Sequence, residues 1–335
     1  MENILAIKGR IQEIYGEHTG LIDRAINVIL ALLAFYFINS KIGYMKMAAS
    51  PFVAVGLALI CAFLPRGFIV LIACGLILAH ASALSLGVMG VTAGIFVVMY
   101  ALYFRLSGSV LLAALLSPLA FMLKVPYLIP IVFGLTSVPV AVIPMSFGTI
   151  AFYMTAYLQK SGATLKEKSM MDGAIKYAKG VFMNKEMYVM LIAMIVCFFV
   201  VYTVRHLAIN YAWKVAMVCG VLANLIIVTI GKVALKLDLS AVWIIVGNLL
   251  AIAISLVLEL FFFSVDYSRR EDLEFEDDNY VYYVKAVPKV AVATKQKSVR
   301  TINKSQKSAE SDGTNVDDRT RVLSEGVVSK RNRQK

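Results

Sequence analysis

The sequence predicts an all-α protein: a polytopic transmembrane helix bundle of about nine or ten spans, followed by a partly disordered C-terminal tail. Three observations carry this expectation. Of the 335 residues 60% are hydrophobic, and the mean hydropathy is +0.77, well above the roughly half-apolar composition of a soluble domain. Apolar runs long enough to cross a hydrocarbon core of about 30 Å recur through most of the chain up to Phe263. Beyond that point the sequence turns polar and belongs to water.

In chain order, residues 1–21 form a polar N-terminal segment with acidic residues and no short apolar core ahead of a cleavage site, so no signal peptide is expected. A first membrane block, 22–158, holds apolar segments at about 22–39, 48–64, 68–85, 87–104, 109–124 and 127–158. A linker at 159–186 is followed by a second block, 187–265, with segments at about 187–204, 213–231 and 241–263. Residues 266–335 are the polar tail.

The sixth segment is too long for one ordinary span and is punctuated by Pro126, Pro130, Pro139 and Pro144. Each proline removes a backbone donor and clashes with the preceding turn. In hydrocarbon a freed carbonyl finds no water, so broken backbone persists only inside protein or along a wet cavity. A kinked helix, two half-helices and a re-entrant hairpin all fit the pattern, with the interruption expected around 135–147. Pro130, Pro139 and Pro144 are therefore candidates to line a solute path.

Ionisable groups inside a bilayer are costly and invite a functional reading. His80 in the third segment and Glu259 near the end of the ninth join the prolines as candidate pathway residues, each set against a plainer reading as a satisfied or interfacial side chain. Asn224 and Asn248 are expected to bond between helices. Arg105, Lys124 and Arg205 stand at segment ends, where snorkelling accounts for them. The small residues of "ACGLILAHASALSLGVMGVTAG" (73–94) suit close helix packing, or else a glycine-lined path. Cys61, Cys74, Cys197 and Cys219 all fall in apolar runs without CxxC spacing and read as buried hydrophobes, not metal ligands.

In the linker, Met171, Ile175, Ala178 and Phe182 recur at helical spacing while Lys168, Asp172, Lys176 and Lys179 take another face. This basic amphipathic helix suits the membrane interface or the docking of a cytoplasmic partner. In the tail an acidic patch, "REDLEFEDDNY" (270–280), precedes "YVYYVKAVPKVAVA" (280–293), whose alternation suits a strand that a partner strand would cover. After 294 the tail is expected to be disordered. Arg269, Arg270 and the basic tail favour a cytoplasmic C-terminus, whereas the lysines of 159–186 favour a cytoplasmic linker, and three intervening spans forbid both.

Enzyme motifs are missing: the sequence has no HExxH, GxSxG or GxxxxGK[ST]. No enzyme activity, cofactor, metal or nucleic-acid partner is expected.

The junction "LELFFFSVDYSRREDLEFEDDNYVYYVKAVPKV" (258–290) resembles a group of multi-pass membrane proteins of anaerobic Gram-positive bacteria, loosely labelled ABC transporter permeases. The resemblance implies a multi-pass protein of the bacterial plasma membrane. It also implies a partner besides the lipid bilayer: a separate ATPase subunit, or a cytoplasmic protein binding the tail or the 159–186 helix. The coupling motif of importer permeases, EAA then three residues then Gly, does not carry over. After Asp172, Gly173 and Ala174, Ala178 stands at the place of the glycine, and Gly180 comes two residues late. Two functional classes follow: a permease or transporter subunit with the proline-broken helix along its path, and a non-transporting membrane scaffold whose tail recruits partners.

Overall fold

The computed structural model describes residues 2–103, 108–166, 169–262, 271–277 and 280–286. The described chain is built of helices, with one small hairpin. They are α1 (Glu2–Glu17), α2 (Thr19–Lys41), α3 (Pro51–Cys61), α4 (Arg66–Ser82), α5 (Leu86–Tyr103), α6 (Gly108–Met122), α7 (Leu128–Thr136), α8 (Val142–Lys166), α9 (Met170–Phe182), α10 (Lys185–Arg205), α11 (Ala212–Leu235) and α12 (Ala241–Phe262). By length and composition five stretches, 19–41, 139–165, 185–205, 212–235 and 241–259, are long and apolar enough to cross a membrane. They mark the chain as a multi-pass integral membrane protein. Four further apolar helices are shorter, and α3, with 11 residues, reaches only about 16 Å at 1.5 Å per residue.

Side-chain contacts fix the helix directions. Arg66 at the start of α4 meets Asp23 and Asn27 of α2, while His80 near its end meets Asn39, so α2 and α4 run parallel and α3 returns between them. In turn α6 runs alongside α4, with Gly67 against Leu111, and α8 alongside α6, where Phe121 stacks on Phe152 at 4.8 Å. The pair α10 and α11 is antiparallel, Val189 lying against Gly231 and Val201 against Gly220. One end of the bundle therefore carries the α2–α3 loop, the α6–α7 turn and α9; the other carries the α10–α11 turn.

Packing around α8 shows how the sequence permits these approaches. Pro118 inside α6 has no N–H for the Ala114 carbonyl, and the backbone of α8 closes on that spot at Gly148. A Cβ there would sit 2.6 Å from Ala114 O and 2.9 Å from Pro118 Cδ. Around this seam Met145, Met154, Met194, Phe198 and Val201 form the buried core. At the start of α10, Asn184 accepts the N–H groups of Glu186 (3.0 Å) and Met187 (3.3 Å), an N-cap that begins the helix there.

The sixth segment takes one of its three expected forms, two half-helices, α7 and α8, joined through a 3-10 turn at Pro139–Ala141. Two differences from the expected layout stand out. The first block does not end at 158: α8 runs on to Lys166, so the 159–186 linker is shared between its last turns and α9. The acidic patch is itself a strand. β1 (Glu271–Glu276) pairs antiparallel with β2 (Val281–Ala286), Glu271 opposite Ala286 and Glu276 opposite Val281. Asp277 and Tyr280 exchange backbone hydrogen bonds to close the hairpin, so the partner strand comes from this chain itself. Pro288 and the tail beyond 294 lie outside the described residues.

Gly148→Ala is expected to push α8 off α6 and destabilise the protein by about 1–3 kcal/mol. Gly94→Ala, where a Cβ would meet nothing within 4 Å, is expected to be neutral or stabilising by up to about 1 kcal/mol. Thermal unfolding of the two variants in one detergent checks the contrast.

Candidate functional site

At the break between α7 and α8, Pro139 has no N–H to return to the carbonyl four residues earlier, that of Leu135. The Ser137 carbonyl also loses its helical partner, because the Ala141 N–H turns to Val138 O at 3.0 Å. Both orphaned acceptors are taken by one side chain. The Arg205 guanidinium, at the end of α10, donates through Nη1 to Leu135 O and through Nη2 to Ser137 O at 3.0 Å. It also lies over the Tyr202 ring, 5.1 Å from the centroid. Two parallel donors in a planar fork suit adjacent carbonyls better than an ammonium would. Arg205 thus turns back into the protein instead of snorkelling out to water. Because it is the last residue of α10, the break sits at the bundle end beside the α10–α11 turn, not midway along the helices. Val138 and Val140 around Pro139 are exposed, while Pro130 and Pro144 are buried within α7 and α8.

His80 lies at the opposite end. Its ring is fully buried, Nδ1 accepting the Met45 N–H at 3.1 Å and Nε2 lying 2.9 Å from Asn39 Oδ1. Asn39 in turn donates to Ala48 O at 2.9 Å. The neutral ring with its proton on Nε2 satisfies every one of these contacts, and together they staple the α2–α3 loop to the end of α4. Glu259 is half-buried near the end of α12 and interacts electrostatically with Lys214. The structure does not bring His80, Glu259 and the prolines together.

Asn248 donates to Ile244 O of its own helix at 2.8 Å and not to another helix, whereas Asn224 is fully buried on α11 against the Cys197 thiol of α10. Lys124 does leave its segment end, but to place Nζ 4.2 Å from the Trp243 ring centroid. A further cluster joins α2 to α4: Arg66 pairs with Asp23 at 2.9 Å and donates to Asn27 Oδ1 at 3.3 Å.

An apolar cavity of about 290 Å³ opens on the side of the bundle among α4, α5, α6 and α8, lined by Cys74, Gly75, Ala93, Phe96, Ala114 and Gly148 among others. Glycine and alanine create it: a Cβ at Gly75 would meet nothing within 4 Å. The 73–94 stretch therefore divides in use, since Gly87 packs against the backbone of α9 while Gly75, Gly90 and Gly94 face open space. None of the candidate pathway residues lines this cavity. The sequence offers 73–94 as one wall of such a space, but not the walls from α6 and α8 that complete it.

Arg205→Gln is expected to cost about 1–3 kcal/mol for each carbonyl left unpaired. Pro139→Ala provides an N–H that comes to Leu135 O as the extended Ser137 and Val138 turn helical, so the two substitutions should be coupled by about 0.5–3 kcal/mol. A double-mutant cycle on unfolding free energy measures this, and additive effects would count against the capping role. His80→Phe is likewise expected to destabilise by about 1–3 kcal/mol, through the unpaired Met45 N–H and Asn39 carbonyl.

Compared with known proteins, the chain matches no family model, no curated protein and no solved structure.

Proposed function

We propose that the protein is a permease-type transport component of the bacterial plasma membrane whose cargo is apolar or amphipathic. The observation that supports this is the side-opening cavity of about 290 Å³, close to the lower end of the roughly 300–1,000 Å³ range of ligand pockets. Its lining carries no charged side chain. A small polar solute would lose its hydration there without recovering hydrogen bonds, at a cost of several kcal/mol, whereas a hydrocarbon chain loses nothing. On this reading cargo enters sideways from the bilayer. Pro139 and Pro144 shape one end of α8 without lining the path, and the energy comes from a separate ATPase subunit, since the sequence has no P-loop.

A second reading, a membrane scaffold that recruits partners, draws on the hairpin. Leu273, Phe275, Tyr282 and Val284 alternate onto one face of it, and all four are exposed. A two-stranded hairpin is marginal by itself and gains from a partner on such a face.

The test uses Cys74 as the sole cysteine. Modification by a membrane-soluble maleimide should slow when a single-chain amphiphile is present, and Gly75→Leu should reduce both that labelling and transbilayer movement of a lipid-tailed fluorophore at least about tenfold, a barrier change of about 1.4 kcal/mol. Unchanged labelling and movement in Gly75→Leu would contradict the transport reading.

A further inference from the structure

We propose that α9 is an interfacial helix that inserts its free apolar stripe at the acyl–headgroup boundary and holds anionic lipid with the lysines beside it. The helix is pinned from two directions. Toward the bundle, Gly87 at the start of α5 lies under the beginning of α9, where a Cβ would come within 2.2 Å of Met170 O and 3.1 Å of Ala174 Cβ. From the side, the last turns of α8 meet Gly173 and Gly180: a Cβ on Gly173 would be 3.5 Å from Leu165 O, and Gly180 sits against the Tyr157 ring, whose hydroxyl donates to Lys176 O at 3.4 Å. Tyr177 and Val181 fill the angle between them and are buried.

Successive helix residues turn by about 100°, which puts these two contact directions about a right angle apart. The remaining faces follow. Opposite α8, and so facing sideways out of the bundle, stand Met171 (72% exposed), Ile175 (47%) and Phe182 (48%). Opposite α5, and so facing away from the bundle, stand Asp172, Lys176 and Lys179. The apolar stripe legible in the sequence is therefore not the face that packs on the protein; it is left free, and it looks sideways. Since the apolar runs of α5 and α10 begin at this level, sideways is where acyl chains meet headgroups.

Charge complementarity decides the occupant. Lys160, Lys179 and Lys185 are exposed around the helix, with Lys176 donating to Thr164 at 3.2 Å. Asp172 is occupied as part of the N-cap, its carboxylate accepting the Ser169 hydroxyl at 2.7 Å while its N–H goes to Ser169 Oγ at 3.3 Å. A lysine-rich polar face beside an apolar stripe is the composition of helices that lie on anionic membranes, each lysine near the surface adding attraction that falls off within a Debye length.

The experiment uses the full-length protein with its native cysteines replaced, carrying bimane at Ile175→Cys or Asp172→Cys, in vesicles of phosphatidylcholine with or without phosphatidylglycerol. The Ile175 label should be quenched by lipid-attached nitroxide and shielded from aqueous iodide, and the Asp172 label should behave the other way round. Both sites are exposed, so equal thermal stability of the labelled proteins serves as the folding control. In competition between spin-labelled anionic and zwitterionic lipids at low salt, Lys176→Gln and Lys179→Gln should each weaken the anionic preference about fivefold. Equal iodide quenching at the two sites, or an anionic preference unmoved by the lysine substitutions, would overturn the proposal. Shielding of Ile175 that appears only on adding an acidic polypeptide would assign the face to a protein partner and overturn it too.

Discussion

Every backbone carbonyl inside an apolar bundle needs a donor, and this constraint governs how the chain accommodates its prolines. At Pro118, α6 lacks the helical donor for Ala114 O, and the absence of a side chain at Gly148 lets the backbone of α8 close on that spot. At Pro139 the answer is a side chain brought from far along the sequence, the Arg205 fork on Leu135 O and Ser137 O. Because α10 must end where that fork is needed, the cap also ties α7, α8 and α10 into one unit. The broken backbone is thereby a capped joint at one end of the bundle, and the apolar cavity lies elsewhere, among α4, α5, α6 and α8.

The two ends of the bundle differ in chemistry. The α9 end gathers Lys41, Lys46, Lys124, Lys160, Lys176, Lys179, Lys185 and Lys236, and it holds the His80–Asn39 staple that fixes the α2–α3 loop. The other end carries Arg24, Arg66, Arg205 and Lys214, each turned onto a ring or into a hydrogen bond: Arg24 over Phe63, Arg66 on Asp23, Arg205 on the proline break and Lys214 over Tyr211. At the first end only Lys124, over Trp243, and Lys176, on Thr164, are turned onto such partners among these residues, while those at the second serve as internal fasteners. The bias described by the positive-inside rule counts charges near span ends irrespective of their partners. It sharpens the conflict with the basic tail that the sequence alone already poses.

Much of the helix layout is legible in the sequence, because apolar runs and their polar punctuation are local properties. The second, seventh, eighth and ninth apolar segments fall on α3, α10, α11 and α12 within a few residues, and the run of prolines marks where α7 gives way to α8. What is not legible is set by distant pairing. Arg205 looks like a snorkelling residue until the Pro139 break is placed beside it, 70 residues away in the chain from Leu135. His80 looks like a membrane histidine in search of a role until Asn39 and the Met45 amide close around it. The packing face of α9 defeats periodicity for another reason: Gly173 and Gly180 carry no apolar signal, yet their lack of a side chain is what admits Leu165 and Tyr157. Likewise β1 is hidden by its carboxylates, since Leu273 and Phe275 alone provide its alternation.

The central claim, that Arg205 supplies the donor Pro139 cannot, is open to direct measurement because Leu135–Thr136 is the one Leu-Thr pair in the sequence. Combined carbonyl-¹³C leucine and ¹⁵N threonine labelling therefore isolates the Leu135 carbonyl in a solid-state NMR spectrum of the protein in lipid. The expected result is a downfield, strongly hydrogen-bonded carbonyl that moves upfield in Arg205→Gln and keeps its downfield position in Arg205→Gln when Pro139→Ala lets the extended Ser137 and Val138 turn helical and bring a backbone donor to it. A Leu135 carbonyl whose shift is the same with and without the Arg205 guanidinium would contradict the account.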